Sequence, residues 1–200
     1  MTKTLTFWFD PASTYSYLSA LRLPGLAAER GVDVIWQPFL LGPIFVAQGW
    51  TSSPFNIYPR KGAYMWRDLQ RQAQAQGLPL VRPDTFPQNS LMAARVALAA
   101  LAVDPQDKGP AFCQALYAAQ FGQGGDITDP QTLRDALEQA GLDPDLTGRA
   151  GDPDVKQALK DAGQRANDLG LFGAPSFTVG TELFWGDDRL EQALDWAARG

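Results

Sequence analysis

The chain has 200 residues, 45% of them hydrophobic and 20% charged, with a formal net charge of −5. That length suits one large domain or a domain carrying an insertion, able to bury roughly 70% of its unfolded surface without a disulfide or metal staple. Charges of both signs are interspersed with no basic stripe for a phosphate backbone, and histidine is absent, which excludes Ser-His-Asp and Cys-His nucleophile systems, histidine-bearing zinc sites and the 2-His-1-carboxylate iron site.

In chain order, Leu5 to Phe9 reads as a first strand, closed by Asp10-Pro11. Ser13 or Thr14 caps a helix whose apolar residues recur at Tyr17, Leu18, Leu21 and Ala28; Pro24 is expected to kink it or end its first piece, and Gly31 stops it. Val32 to Trp36 is a second strand rich in β-branched residues, so the chain begins strand–helix–strand, the usual unit of a right-handed parallel crossover. Leu40 to Tyr58, with Gly42, Pro43, Gly49 and Pro54, reads as loop. Helical patterns then cover Arg60 to Gln76, Asn89 to Leu101, Pro110 to Phe121, Pro130 to Ala140 and Asp152 to Leu169, two of them beginning at a proline. Ser176 to Val179 and Glu182 to Trp185 flank Gly180-Thr181 as a hairpin, and Asp187 to Arg199 is a closing helix. The organisation is α/β: β-α-β, a helical block, then β-β-α.

Four segments carry chemical signals, each with a plain structural alternative. Ser13 lies between a strand end and a helix start, where backbone N–H groups and the helix dipole favour an anion, a thiolate included; it is equally an ordinary N-cap. Ala174-Pro175 is either a cis bond that turns the Ala174 backbone outward or a trans proline opening an edge strand. Asp187 and Asp188 suit a helix start and could also hold an ammonium group. Arg60 and Lys61 are cations near a helix start, where the dipole disfavours them, and this hints at an anionic ligand. The single cysteine, Cys113, cannot form an internal disulfide, and no metal site is expected. The apolar run at the N-terminus is too short for a signal-peptide core, and no run reaches the roughly 18 apolar residues of a membrane helix. A cytoplasmic protein with no membrane partner is therefore expected.

In their order and spacing these segments resemble the thioredoxin-fold group of kappa-class glutathione transferases and 2-hydroxychromene-2-carboxylate isomerases. Phe9-Asp10 with Ser13-Thr14-Tyr15-Ser16-Tyr17-Leu18 is similar to that family's Phe-Asp…Ser-Pro-Tyr-Ser-Tyr-Leu element. Pro59-Arg60-Lys61-Gly62…Tyr64-Met65…Asp68-Leu69 resembles the start of its inserted helical domain. Gly173-Ala174-Pro175-Ser176-Phe177 and Phe184-Trp185-Gly186…Asp188-Arg189-Leu190 resemble its C-terminal motifs, the last, through its Trp, more like the isomerases. Thr14 departs from the family's proline, which should loosen the start of the helix. Thr51 stands near where the family has a glutathione-contacting asparagine.

The resemblance implies a thioredoxin-like domain from residues 1–40 and 170–200, with a large all-helical insertion over 41–169. It implies glutathione as cofactor, with Ser13 donating a hydrogen bond to its sulfur. Ala174 beside Pro175 would pair with the cysteinyl unit, Asp187 and Asp188 with the γ-glutamyl end, and Lys61 with the glycine carboxylate, with Thr51 a further contact. Phe45, Trp50 and Tyr64, with Phe55 and Trp66, would wall the pocket of a small aromatic substrate, or simply fill the core. The implied reaction interconverts 2-hydroxychromene-2-carboxylate and trans-o-hydroxybenzylidenepyruvate, a step of aromatic catabolism, in a homodimer. A kappa-like transferase, a thiol–disulfide oxidoreductase and a non-catalytic binding module are the alternatives; the oxidoreductase needs Cys-x-x-Cys where this chain has Ser13 to Ser16.

Overall fold

A computed structural model describes residues 3–199. Its sheet has four strands in the order β2-β1-β3-β4: β1 (Thr4–Phe9), β2 (Asp33–Pro38), β3 (Ser176–Val179) and β4 (Glu182–Trp185). β1 pairs parallel with β2 and antiparallel with β3, and β3 pairs antiparallel with β4. The expected β-α-β and β-β-α pieces therefore meet along β1. Leu5, Phe7 and Phe9 point to one face of β1 and Trp8 to the other, and all four are buried. On the first face Phe7 stacks on Phe177 at 5.5 Å and meets the edge of Trp36 at 5.1 Å. On the second, Trp8 packs with Phe39, Ala166 and Leu171 in a smaller cluster. A strand buried on both faces needs this near-continuous apolar sequence.

Helix α1 (Thr14–Arg30) runs unbroken through Pro24, so of the expected kink or break the break does not occur. Proline removes one N–H from the helix ladder and frees the carbonyl four residues earlier. Here that carbonyl belongs to Ala20, and it accepts from the side-chain amide of Gln114 at 3.1 Å. A neighbouring helix thus completes the hydrogen bond that the ring removes. Gly31 ends α1 in the left-handed conformation, φ 61°, as read from the sequence.

The stretch read as loop from Leu40 to Tyr58 contains two short helices, α2 (Leu41–Ala47) and α3 (Pro54–Ile57). Their prolines sit in the first turn, where the missing N–H costs nothing. Helices α4 (Pro59–Ala75), α5 (Leu91–Val103), α6 (Lys108–Tyr117), α7 (Pro130–Gln139) and α8 (Pro153–Asp168) follow the predicted pattern within a few residues. α6 runs into a π-helical turn at Ala118–Gly122, and a 3-10 segment at Pro144–Gly151 was not legible. The closing helix starts as a 3-10 turn, Asp187–Arg189, before α9 (Leu190–Arg199).

Helices α2 to α8 lie between β2 and β3 in the chain, yet they share the sheet's core. Phe9, Tyr117, Phe121 and Tyr17 form a chain of aromatic contacts at 5.7–6.4 Å from β1 into the helices. Tyr117 Oη also donates to the carbonyl of Asp10 at 2.7 Å. Alanines of α5 are buried, which lets neighbouring helices approach closely.

Phe177 is the fully buried residue through which β3 meets β1. Phe177→Ala is expected to lower stability by about 3–5 kcal/mol, the range for emptying a large aromatic site. Urea denaturation followed by circular dichroism measures this.

Candidate functional site

At the end of β1 the chain turns on a buried carboxylate. Asp10 is 5% exposed. Its Oδ1 accepts from the Ala12 N–H at 2.9 Å and its Oδ2 from the Leu41 N–H at 2.8 Å. Burial pushes its pKa above the usual value, and the bonds from Leu41, Ala12 and the Ser90 side chain oppose that. One side chain therefore ties the β1–α1 turn to the start of α2.

Asp10 lines a cavity of about 960 Å³. Ten of the residues singled out for the site line it: Ser13, Phe45, Trp50, Thr51, Lys61, Tyr64, Ala174, Pro175, Asp187 and Asp188. Phe55 lines it too. Trp66 does not; it packs edge-on against Phe86 at 5.0 Å with Arg82 over its ring, so it supports the wall from behind.

Ser13 is the N-cap of α1, and its Oγ accepts from Ser16 N–H at 3.3 Å. Its hydroxyl proton points elsewhere, to the carbonyl of Ala174 at 3.0 Å. The Ala174–Pro175 bond is cis. The outward-turned Ala174 backbone read from a cis bond is therefore not wholly free for a ligand: its carbonyl already accepts from Ser13. Thr14, at the family's proline position, is buried and donates to Met65 Sδ at 3.3 Å. This joins α1 to α4, so the expected loosening at the start of the helix is not found.

The acidic pair divides. Asp187 is buried, and its Oδ1 accepts from Ser19 Oγ at 2.7 Å and from Arg22 at 2.9 Å. Its charge is already matched from within the fold. Asp188 is exposed and lies 3.4 Å from Arg189. Lys61 reaches over the Phe55 ring, 5.9 Å from its centroid. Phe45 and Trp50 contact one another at 5.6 Å.

Several cavity residues escaped the sequence reading. Tyr15 and Asp68 face one another across α1 and α4, with Tyr15 Oη donating to Asp68 Oδ2 at 2.9 Å. Phe172 and Trp185 form an edge-to-face pair at 4.9 Å on the wall beside Gly173. Gly173 has no room for a Cβ, because the Trp185 indole nitrogen occupies that place. Gln88 also lines the cavity, but its amide is held by Gly125, Gln120 and Ile127. The family-like spacing of Tyr15 and Asp68 was the available signal, and it gave no hint that the two touch. Cys113 is fully buried, with its thiol pKa raised by burial, and it is not among the lining residues.

The family of DSBA-like thioredoxin domains matches residues 4–196. A 2-hydroxychromene-2-carboxylate isomerase of Sphingobium xenophagum is 35% identical over 96% of this chain and 96% of its own. Glutathione S-transferase kappa 1 of Homo sapiens is 28% identical over 94% of this chain and 88% of its own. A solved structure of a 2-hydroxychromene-2-carboxylate isomerase superposes with a TM-score of 0.86 at 26% identity, covering 98% of this chain and 95% of that one.

Replacing Asp10 by Ala would strand the Ala12 and Leu41 N–H groups, at about 1–3 kcal/mol for each buried donor left unmade. Asp10→Ala is therefore expected to lose stability by urea denaturation and to open α2 to limited proteolysis.

Proposed function

This chain belongs to the DSBA-like thioredoxin family, with a 2-hydroxychromene-2-carboxylate isomerase among its full-length relatives, and on that premise we propose that it is a glutathione-dependent isomerase. Its substrate class is an aromatic acid of the 2-hydroxychromene-2-carboxylate type, converted to the trans-o-hydroxybenzylidenepyruvate type. The observation that carries this is Ser13: a hydroxyl held at the positive end of α1, on the wall of the large cavity, where oxidoreductases of this fold need a thiol.

The residues present suit a tripeptide thiol. A volume of about 960 Å³ is at the upper end of the range for small-molecule sites and leaves space for a second ligand. Glutathione, when bound, supplies a thiolate that can add to a conjugated carbon and leave again, so that a stiff double bond is replaced for a moment by one that rotates. Ser13 then has one task, to turn its proton from the Ala174 carbonyl to the sulfur. A hydrogen bond to the charged form, together with the helix end, lowers a thiol pKa. The Ala174 carbonyl released by that turn becomes an acceptor for the peptide backbone of the cofactor. Lys61 is the lysine or arginine among the described lining residues, and it suits the glycine carboxylate. Asp188 suits the γ-glutamyl ammonium better than Asp187: Asp187 is buried against Arg22, whereas Asp188 is exposed and its ion pair with Arg189 is a longer, surface one. Phe45, Trp50 and Tyr64, with Phe172 and Trp185 opposite, give an aromatic ring apolar walls.

The kappa transferase relative favours a second use of the same site, conjugation of glutathione to an electrophile. Conjugation of a chlorinated aromatic without isomerase activity would decide for it.

The test is a spectrophotometric isomerase assay with and without reduced glutathione. Turnover is expected only with it, and Ser13→Ala is expected to lose about 100-fold, as when one transition-state hydrogen-bond donor is removed. Wild-type turnover in Ser13→Ala, or turnover indifferent to glutathione, would overturn the assignment. A homodimer belongs to the same proposal. Light scattering of the purified chain is expected to give twice its mass, and a clean monomer would remove it.

A further inference from the structure

We propose that Tyr15 and Asp68 form a hydroxyl-reading corner of the cavity, which selects aromatic acids carrying a free ring hydroxyl. This deepens the isomerase assignment and rests on it for the identity of the second ligand.

The corner is built from two helices. Tyr15 stands at the start of α1, two residues after Ser13, and is half-buried; Asp68 stands on α4. Tyr15, Asp68 and Gln72 all line the cavity. The Tyr15 proton is spent on Asp68 Oδ2 at 2.9 Å. The same oxygen accepts from Gln72 Nε2 at 2.6 Å, and Oδ1 accepts from Arg71 Nη2 at 3.1 Å. Burial works against the Asp68 charge, but the bonds from Arg71, Tyr15 and Gln72 prevail and hold its pKa below the usual value. Burial and the neighbouring Asp68 push the Tyr15 pKa up, so the phenol keeps its proton. A neutral phenol whose only proton points at a carboxylate can offer a ligand nothing but lone pairs.

The consequence is selective. A ligand carboxylate or ketone placed here would set oxygen against oxygen with no proton between them. A ligand hydroxyl fits, because it brings the missing proton. A site built around a buried polar partner rejects the analogue that lacks the matching group, since that partner is then left unpaired.

Two ligand donors compete for this corner in the proposed reaction: the phenol hydroxyl of the o-hydroxybenzylidenepyruvate form, freed when the chromene ring opens, and the ammonium of glutathione. The position on α4 favours the hydroxyl. Lys61, Tyr64, Asp68 and Gln72 follow one another along one face of α4, three to four residues apart, and all reach the cavity. Seven residues separate Lys61 from Asp68, about 10 Å of helix. A cofactor whose glycine carboxylate is on Lys61, and whose sulfur is at Ser13, has its ammonium on the far wall with Asp188. The Tyr15–Asp68 corner is left for the second ligand.

The test compares an o-hydroxyaryl enone acid with the same acid lacking the hydroxyl, each titrated calorimetrically against the protein. Wild type is expected to bind the hydroxylated acid about tenfold more tightly, the size of one hydrogen bond otherwise left unmade. Tyr15→Phe is expected to abolish that preference while glutathione affinity stays unchanged. Asp68→Leu, which removes the acceptor of the tyrosine proton and lets that proton turn toward the ligand, is expected to narrow it. Equal binding of the two acids by wild type, or an undiminished preference in Tyr15→Phe, would overturn the hydroxyl-reading role. Loss of glutathione affinity in Tyr15→Phe with the acid preference intact would also overturn it, and would reassign the corner to the ammonium. Because the titration needs no turnover, protein indifferent to glutathione that still distinguishes the two acids would sink the cofactor assignment and keep this one.

Discussion

The site depends on burying one carboxylate. Asp10 ends the central strand, and its two oxygens fix the first N–H of the α1 turn and the first N–H of α2. Its backbone carbonyl accepts from Tyr117, deep among the helices. A buried charge is costly alone, and here backbone donors offset part of that cost. The arrangement gives geometry in return: the end of β1 and the start of α2 cannot move apart without stranding a buried partner. Ser13 stands three residues beyond this anchor, its own N–H bonded to the Asp10 carbonyl at 2.8 Å. The hydroxyl thus inherits its position from the carboxylate.

The cavity's electrostatics sharpen the question of how it would hold an anion. Among the described lining residues are four acids, Asp10, Asp68, Asp187 and Asp188, and one cation, Lys61. Three of the acids are quieted within the fold: Asp10 by backbone donors, Asp68 by Tyr15, Gln72 and Arg71, and Asp187 by Ser19 and Arg22. With those fields matched at short range, the α1 terminus is left as the local positive feature beside Ser13. A proton moved from the Ala174 carbonyl to a thiolate exchanges a neutral hydrogen bond for a charge-assisted one, which is the stronger kind. No histidine is needed for this, and the chain has none.

Legibility in the sequence followed the range of the interaction. The β1 strand and the Gly31 cap are written locally, in runs of a few residues; Ala174-Pro175 left cis and trans open, and the lining residues came largely from the family resemblance. Features set by partners distant in the chain were not legible. Pro24 reads as a breaker until Gln114, 90 residues away in sequence, fills the vacant carbonyl. Leu41 to Ala47 reads as loop until Asp10 secures its first N–H. Thr14 reads as a weakened helix start until Met65 is beside it. Asp187 and Asp188 look alike in sequence, and only the distant Ser19 and Arg22 distinguish the buried acid from the exposed one, whose ion pair is with its neighbour Arg189.

Residue identity at the helix start also bears on which sulfur chemistry a thioredoxin-type fold can carry. A thioredoxin-type exchange needs an accessible, ionisable thiol at the helix start. This chain has Ser13 there, while its one cysteine is sealed in the helical core with its thiol pKa raised by burial. A serine cannot exchange disulfides, but it can orient a sulfur that comes from elsewhere. The demand on the protein then changes from making a nucleophile to holding one, and holding requires a wide cavity with separate places for cofactor and substrate. On the proposed reading, helices α2 to α5 would supply those places. The hydroxyl at the start of α1, the cation at the start of α4, and Asp68 two turns further along α4, facing Tyr15 of α1, all line the one cavity.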